Sequence, residues 1–345
     1  MSIYLFAFFT SFLVNLILIV PFIDLLYKMK FQRVHQETRD AFDKKTPIFD
    51  KYHSMKVGIP VGGGVLTVFT TLALFVFFIT LFLLGQRQII SNYSSVISEI
   101  KILLFTIVSF SFLGLYDDLK KIFFLKDTAF FGLRLRHKLL VEIFLGFIIS
   151  YWMYSELKIN IIHIPFLGVY AVSWLYILFS TFVIVSFANA INISDGLDGM
   201  ASGVLTIALL AFWAVSVSIL DTPLLVFIAV WLGGLIAFLY FNIYPARIML
   251  GDTGSLAFGA TFAVIGLLLG KAFALPIIGG VFVIEIASSL IQLLSKRFFN
   301  KKAFPVAPLH LWLQLRGWGE PKVVMRSWIV AALFATFGLM VAFMK

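Results

Sequence analysis

The sequence predicts an all-α polytopic membrane protein with a single domain, residues 1–345, and three observations lead to that fold class. Apolar side chains make up 61% of the 345 residues, and charged side chains only 13%. No soluble fold could bury so much apolar surface, since even a large domain keeps a substantial exterior in water. The apolar residues also form runs close to the about 20 residues that a helix needs to cross a bilayer. None of these runs alternates strictly, as the strands of a membrane barrel do.

About ten transmembrane helices are expected, because ten apolar runs approach the required length. Helices are needed there since lipid offers no hydrogen-bond partner to an unpaired backbone group. The first run follows no basic residue and precedes no small-residue cleavage site, so we interpret it as a span rather than a cleaved signal. The runs lie at about residues 2–26, 58–84, 101–116, 138–155, 171–191, 203–220, 223–242, 255–271, 273–295 and 326–344.

Positive charge is concentrated in every second loop between these runs. Loops 27–57, 117–138, 243–254 and 296–326 hold 22 of the 27 Lys and Arg residues. The positive-inside rule therefore predicts that these loops face the cytoplasm and that both termini lie outside. On the other side, segment 158–168 partly alternates and predicts a small β-hairpin.

Composition also excludes several function classes. The chain contains no cysteine, which removes disulfides, thiolate nucleophiles and cysteine-based zinc sites. The net charge of +10 is not accompanied by a contiguous basic groove interleaved with aromatic residues, so no nucleic-acid partner is expected. A transporter would place its ionisable residues near the bilayer midplane, often within repeated halves, and no internal repeat is evident here.

Five aspartates lie where apolar runs meet the predicted cytoplasmic loops. A carboxylate this close to hydrocarbon is costly unless it has a partner or a function. A single one would be a helix cap or a surface group, but five from three loops indicate a cation site or an acid/base cluster. Glu142 and Glu285 fall inside runs, where they are expected to form buried pairs or line a cleft. The five aspartates are Asp117, Asp118, Asp195, Asp198 and Asp252.

Two motifs carry four of these aspartates. In Asp117-Asp118-x-x-Lys121, a continuing helix would place Asp117 and Lys121 on one face. Taken alone, that motif is usually a charged helix end with one salt bridge. Its functional interpretation is a magnesium or phosphate site, since Mg²⁺ prefers one or two carboxylates together with phosphate oxygens. In the second motif, polar residues recur at every third position, which a helical path would align: Asn189, Asn192, Asp195 and Asp198.

Three further segments are weaker signals. In Gly251-Asp252-Thr253-Gly254-Ser255, the two hydroxyl residues are predicted N-caps for the next helix. A helix start of this kind also favours a bound phosphate. Lys56 precedes a glycine-rich segment, 58–64, which is not a P-loop. The amphipathic segment 308–322 suits the headgroup layer, and a lone histidine such as His310 would usually be interfacial there.

Together, and in this order, the motifs resemble the polyprenyl-phosphate N-acetylhexosamine-1-phosphate transferases, in particular their phospho-N-acetylmuramoyl-pentapeptide transferase (MraY) branch. The resemblance covers essentially the whole chain and includes a ten-helix topology with both ends outside. The matching segments are Asp117–Lys121, Gly132–Lys138, Asn192–Gly199, Gly251–Ser255 and the tail Pro308–Val324. The implied reaction transfers phospho-MurNAc-pentapeptide from UDP to undecaprenyl phosphate, giving lipid I and UMP, at the bacterial cytoplasmic (inner) membrane.

The resemblance also implies residue roles, an Mg²⁺ cofactor and a homodimer. Asp252 would ligate Mg²⁺, Asp117 and Asp118 would orient or deprotonate the lipid phosphate, and Lys121 would bind phosphate. His310 would be the first member of the family's histidine triplet. The substrate, UDP-MurNAc-pentapeptide or a related UDP-sugar, would be bound by Lys56, Asn192, Asp195, Gly196, Leu197, Asp198, Asn242, Met249 and Arg136.

The sequence departs from the family pattern in the elements that recognise the donor. Leu311 and Trp312 follow His310 where the family has two more histidines, and Gln314 replaces a glutamate. Met249 stands where a phenylalanine would stack on uracil, so a sulfur contact replaces an aromatic face. The alternative within the enzyme class is therefore a transferase for another UDP-N-acetylhexosamine, such as UDP-GlcNAc.

Overall fold

A computed structural model of the protein describes residues 1–32, 46–123 and 135–344. Helices dominate these ranges, together with one two-stranded sheet. The helices are α1 (Ser2–Lys28), α2 (Pro47–His53), α3 (Gly63–Leu84), α4 (Val96–Phe123), α5 (Leu135–Ser155), α6 (Leu175–Ser194), α7 (Met200–Ile219), α8 (Thr222–Asn242), α9 (Gly251–Leu268), α10 (Ala274–Ile278), α11 (Gly280–Phe299), α12 (Leu309–Leu315) and α13 (Glu320–Phe343). The strands are β1 (Ile161–Ile164) and β2 (Gly168–Ala171).

Nine of the described helices are long and apolar enough to cross a membrane, which confirms the all-α polytopic membrane fold. They are α1, α3 to α9, and α13. The predicted span at 273–295 is instead two helices, α10 and α11, which are separated at Gly279. The break is tightly packed, because a Cβ atom at Gly279 would lie 2.6 Å from the Phe187 ring. Helix α11 also carries the buried carboxyl of Glu285.

The bundle has two distinct ends, which we call the site end, where Asp117 and Asp252 lie, and the distal end, where α9 finishes. The end of α1 lies at the site end, since the carbonyl of Phe31 accepts from the backbone N–H of Val61, next to the start of α9. Helix α13 also begins there, because Glu320 contacts Lys56. Both termini therefore lie at the distal end, and α10 and α11 return the chain to the site end. Which end faces the cytoplasm stays a prediction.

Helix α9 is the centre of the core, and every one of its residues is buried. It packs closely on α4, α6 and α3. Contact with α4 depends on Gly114, where a Cβ atom would lie 2.2 Å from the carbonyl oxygen of Asp252. A larger residue there would push the helices apart and separate Asp117 from Asp252. The absence of a side chain at Gly114 thus lets α4 and α9 approach closely enough to form the predicted site.

A hairpin forms as predicted, but segment 158–168 holds only its first strand and turn, and the second strand shares only Gly168 with that segment. Strands β1 and β2 pair antiparallel, and the register sets Ile161 opposite Ala171 and Ile164 opposite Gly168. The hairpin connects α5 to α6 at the distal end of the bundle.

Candidate active site

Two aspartates and two lysines form a closed cluster of charges at the site end. Nζ of Lys121 lies 3.1 Å from Oδ2 of Asp117 and 2.9 Å from Oδ1 of Asp252. Nζ of Lys138 lies 3.2 Å from Oδ2 of Asp117 and 2.6 Å from Oδ2 of Asp252. Both carboxylates are buried, so each ammonium group offsets part of the cost of removing them from water.

Three helices bring this cluster together. Helix α4 runs through the first motif without interruption, so Asp117 and Lys121 share a face as predicted. Helix α5 supplies Lys138 from its first turn, and α9 supplies Asp252 from its own. The four residues therefore converge from three helices that are separate in the chain.

Asp118 has different surroundings from its neighbour. Its Oδ1 accepts from the backbone N–H of Asp252 at 3.0 Å, and its Oδ2 accepts from the backbone N–H of Thr253 at 2.9 Å. The hydroxyl of Thr253 donates to the same oxygen at 2.8 Å. A carboxylate at this position accepts from the free N–H groups at the start of α9, and the positive end of the helix dipole stabilises its negative charge. These contacts make Asp118 an anchor for the segment that carries Asp252.

The predicted N-caps of this helix are wrong. Helix α9 begins at Gly251, so Thr253 and Ser255 lie inside its first two turns. Gly251 has a φ of +79°, and a Cβ atom there would lie 2.8 Å from Oδ2 of Asp118. The sequence pattern could not reveal this, because the capping carboxylate comes from another helix, more than a hundred residues earlier.

The second motif is helical only in part. Asn189 and Asn192 lie in α6, which ends at Ser194, and Asp195 follows as its C-cap. The amide of Asn192 donates to the hydroxyl of Ser255 at 2.8 Å and so joins α6 to α9. The amide of Asn189 donates to Glu142, which confirms that this glutamate forms a buried pair.

A second ionic cluster lies beside the turn that follows α6. Nζ of Lys56 lies 2.7 Å from Oδ1 of Asp198, 2.6 Å from Oε1 of Glu320 and 2.8 Å from the carbonyl oxygen of Gly196. The same oxygen of Glu320 accepts from the backbone N–H of Asp198 at 2.6 Å. Lys56, Gly196 and Asp198 are thus in contact, as expected for residues of one pocket. Glu320 was not assigned a role from the sequence.

Asn242 and Met249 hold the loop between α8 and α9. Asn242 accepts from the backbone N–H of Gly199 at 3.1 Å and donates to the carbonyl of Ile248 at 2.9 Å. The backbone of Met249 bonds to the glycine-rich segment, donating to Pro60 at 2.9 Å and accepting from Gly63 at 2.9 Å. The glycine-rich segment and the third motif therefore form one surface.

His310 is buried in the protein, which corrects the expectation that a lone histidine in this segment lies at the membrane interface. It is 1% exposed, and its Nδ1 lies 3.0 Å from Oε2 of Glu285. Its Nε2 is buried and has no hydrogen-bond partner among the described residues. Glu285 therefore fixes the orientation of the ring through Nδ1.

Two predicted substrate residues lie apart from the polar clusters. Arg136 is exposed in the first turn of α5, and Lys138, two residues later, is the one that joins the aspartates. The side chain of Leu197 is 1% exposed and packs in the apolar core, so only its backbone remains for a ligand. Lys138 and Glu320 both lie in segments that resemble the family. The sequence signal for Lys138 was a lysine at the start of an apolar run, on the same predicted side of the membrane as the aspartates.

Two carboxylates of the charge cluster are the residues that would hold a magnesium ion together with substrate phosphates. No group of three or more His, Asp or Glu residues disposed for a metal occurs in the described ranges. Asp117 and Asp252 nevertheless offer two carboxylates on the same pair of ammonium groups. One or two carboxylates with phosphate oxygens is the ligand set that Mg²⁺ prefers.

Comparison with known proteins defines the class of this membrane enzyme. The family model described as glycosyl transferase family 4 matches residues 100–270. That segment contains Asp117, Lys121, Lys138 and Asp252, the whole charge cluster. The protein is therefore a membrane-embedded transferase.

Full-length relatives identify the family more narrowly. A phospho-N-acetylmuramoyl-pentapeptide-transferase of Caldanaerobacter subterraneus subsp. tengcongensis is 35% identical over 96% of this chain and 97% of its own. Proteins of the same name from Oceanobacillus iheyensis and Borreliella burgdorferi are 32% and 35% identical, over 95% of this chain and 94% and 92% of their own. The chain belongs to the phospho-N-acetylmuramoyl-pentapeptide transferase family.

Proposed function

We propose that the protein transfers phospho-MurNAc-pentapeptide from UDP-MurNAc-pentapeptide to undecaprenyl phosphate, in a Mg²⁺-dependent step of peptidoglycan synthesis. The products are lipid I and UMP. The names of the full-length relatives support the donor and the transferred group. The observation that carries the proposal is the pair of lysines, the half-buried Lys121 and the buried Lys138, which joins Asp117 to Asp252.

The chemistry requires positioning and charge neutralisation more than covalent catalysis. Phosphoryl transfer between two anionic substrates develops charge on the transferred phosphoryl oxygens and on the leaving group. Lys121 and Lys138 supply two positive charges at one point, and the burial of Lys138 and of both aspartates strengthens their effect. A bound Mg²⁺ would add a further cation that stabilises the diphosphate of the donor.

The aspartates have separate roles in the proposed reaction. Asp117 faces the lysines and is the group that takes a proton from, or orients, the acceptor phosphate. An oxygen of that phosphate attacks the phosphorus bound to the sugar, the bond to the bridging oxygen breaks, and UMP leaves. Asp252 would hold the metal, and Asp118 keeps the start of α9 in place. Lys56 and Asp198 bind the nucleotide at the adjoining pocket.

The charge distribution supports a location in the bacterial cytoplasmic membrane, with the site end facing the cytoplasm. The loops at the site end carry most of the Lys and Arg residues, and both termini lie at the distal end. Cytoplasmic access suits a soluble nucleotide-sugar donor, while the bundle lets a lipid acceptor reach the site from the bilayer. A homodimer is part of the proposal through the family resemblance.

The experiment is UMP release by the purified full-length protein with undecaprenyl phosphate and Mg²⁺. We expect turnover with UDP-MurNAc-pentapeptide, and its loss when EDTA removes the metal. Turnover restricted to UDP-GlcNAc would overturn the donor assignment. Activity that survives chelation would overturn the proposed requirement for Mg²⁺.

Leu311, Trp312 and Met249 favour one second candidate, a transferase for another UDP-N-acetylhexosamine. They replace two histidines and a phenylalanine of the family pattern, and the buried side chain of Leu311 cannot bind a phosphate or sugar hydroxyl. The same assay with a panel of UDP-sugars separates the two functions by the ratio of their kcat/KM values.

A further inference from the structure

A cavity of about 480 Å³ opens at the distal end, on the opposite side of the bundle from the proposed active site. Its walls are the loop after α9, strand β1 and the loop before α4. The volume falls within the range of about 300–1,000 Å³ that is usual for small-molecule sites. Nothing in the proposed transfer reaction uses this end of the molecule.

The lining of the cavity is basic. Lys158, Lys271 and His163 line it, and no Asp or Glu is among its lining residues. Lys271 makes no ion pair within the described ranges, and its partial burial lowers the pKa of its ammonium group. A partly desolvated cation without a partner is unfavourable, and a bound anion would offset that cost.

The backbone holds Lys271 in place at the end of α9. The N–H of Lys271 donates to the carbonyl of Gly266, and the N–H of Gly270 donates to that of Leu267, which is the Schellman pattern. Gly270 has the positive φ of +68° that this pattern requires. The helix dipole also favours a cation here, but it does not account for the two other basic residues across the cavity.

A buried hydroxyl provides a second, independent observation. Tyr176 lines the cavity, is 2% exposed, and its hydroxyl has no hydrogen-bond partner among the described residues. The hydroxyl of Tyr93, also on the wall, donates instead to the carbonyl of Leu268 at 2.5 Å. A buried hydroxyl without a partner costs free energy, so a ligand oxygen at Tyr176 would satisfy it.

The remaining walls are apolar, including Ile161, Ile219 and Leu267, and the cavity lies where the spanning helices end. We propose that it binds a phosphate group carried on an apolar body, with Lys271 and Tyr176 as its ligands. Anionic phospholipid of the distal leaflet has this chemistry, and basic pockets between membrane helices bind such headgroups. A soluble phosphate ester is the other source of the same group.

The test measures binding of dioleoylphosphatidylglycerol to the purified full-length protein in neutral detergent, by native mass spectrometry and thermal melting. We expect Lys271→Gln to weaken binding about fivefold, while Lys271→Arg stays within about twofold of the wild type. Arg87→Gln is the matched control, because Arg87 is an exposed cation at the same end that does not line the cavity. The melting temperature without lipid verifies that each variant is folded.

A titration with glycerol phosphate distinguishes the two sources. Stabilisation by glycerol phosphate that depends on Lys271 assigns the site to a soluble ester, and stabilisation by the lipid alone assigns it to the membrane. Equal lipid binding by Lys271→Gln and the wild type would overturn the proposal, as would equal weakening in Arg87→Gln. The test is independent of the transfer reaction, since UMP release should be unchanged in Lys271→Gln.

Discussion

The two ends of the bundle each bury neighbouring carboxyl groups, but they do so by different means. At the site end, Asp117 and Asp252 share two lysine ammonium groups. At the distal end, the carboxyls of Glu99 and Asp221 are buried side by side, and neither pairs with a lysine in the described part of the chain.

The two ends therefore differ in how the acidic charge is compensated. At the site end the carboxyls lie against two lysine ammonium groups, whereas no cation lies against the distal pair in the described ranges. The distal pair closes the fold instead, since Asp221 accepts from the backbone N–H groups of Asn92 and Leu224 and so joins the loop before α4 to the start of α8. A buried acidic residue therefore indicates a functional site only when the cations that lie beside it are also known.

The largest effect is expected from Asp252→Asn. Loss of this carboxylate leaves the lysines with one anionic partner and removes the proposed metal ligand, so UMP release should fall about 1,000-fold. The protein should remain folded, because the backbone N–H that Asp118 accepts is unchanged. Asp24→Asn is the control, because Asp24 is exposed and lies in the part of α1 that is near the site end. Retained activity would remove Asp252 from the metal site.

The second effect separates Asp118 from its neighbour. Asp118→Ala leaves the backbone N–H groups of Asp252 and Thr253 without their acceptor, so the free energy of unfolding should fall by about 2 kcal/mol. Thermal melting in detergent measures it, with Asp24→Ala as control. A fully stable variant with impaired turnover would instead favour the role that the resemblance implied, at the lipid phosphate.

A smaller effect is expected from Glu320→Gln. Lys56 keeps Asp198 and the carbonyl of Gly196 but loses one anionic partner, so its position is less well defined. The KM for the UDP-sugar should rise about tenfold, with kcat within about twofold. Glu156→Gln removes a comparable pair with Lys101 on the distal surface and should change neither. A fall in kcat without a change in KM would contradict the positioning role.

The helical membrane fold was predictable because its signal is local: length and apolarity identify a span without knowledge of its neighbours. Residues 273–295 are the exception, since the break at Gly279 depends on the Phe187 ring from α6. The bounds also differ from the prediction, since α4 extends past its apolar run and carries Asp117 into the cluster.

The site was predictable in its aspartates but not in their partners. Position at a helix end marked Asp117 and Asp252 individually. The close packing of α4 on α9 at Gly114 brings the two aspartates together, and the lysine that joins them, Lys138, comes from a third helix, α5. Likewise, nothing local distinguishes Asp118 from Asp117, because the N–H groups that Asp118 accepts lie more than a hundred residues away.

The smallest effect concerns the distal pair and its dependence on pH. Burial raises the pKa of Asp221, so between about pH 4, where an unfolded Asp titrates, and that raised value the folded state holds more protons. Stability should therefore decline as the pH rises through this window. Asp221→Asn keeps an acceptor for Leu224 and cannot ionise, so its melting temperature should vary less with pH.

Glu156 supplies the opposite case for this measurement. Its hydrogen bond with Lys101 lowers the pKa of its carboxyl, so its contribution to stability is present above the ordinary Glu pKa and is lost as the pH falls. Glu156→Gln should therefore leave the decline at rising pH unchanged, while Asp221→Asn reduces it. An identical pH profile for Asp221→Asn and the wild type would mean that Asp221 is ionised in the folded protein. Burial would then not set the pKa of Asp221, and the contrast between the two ends would rest on the lysines alone.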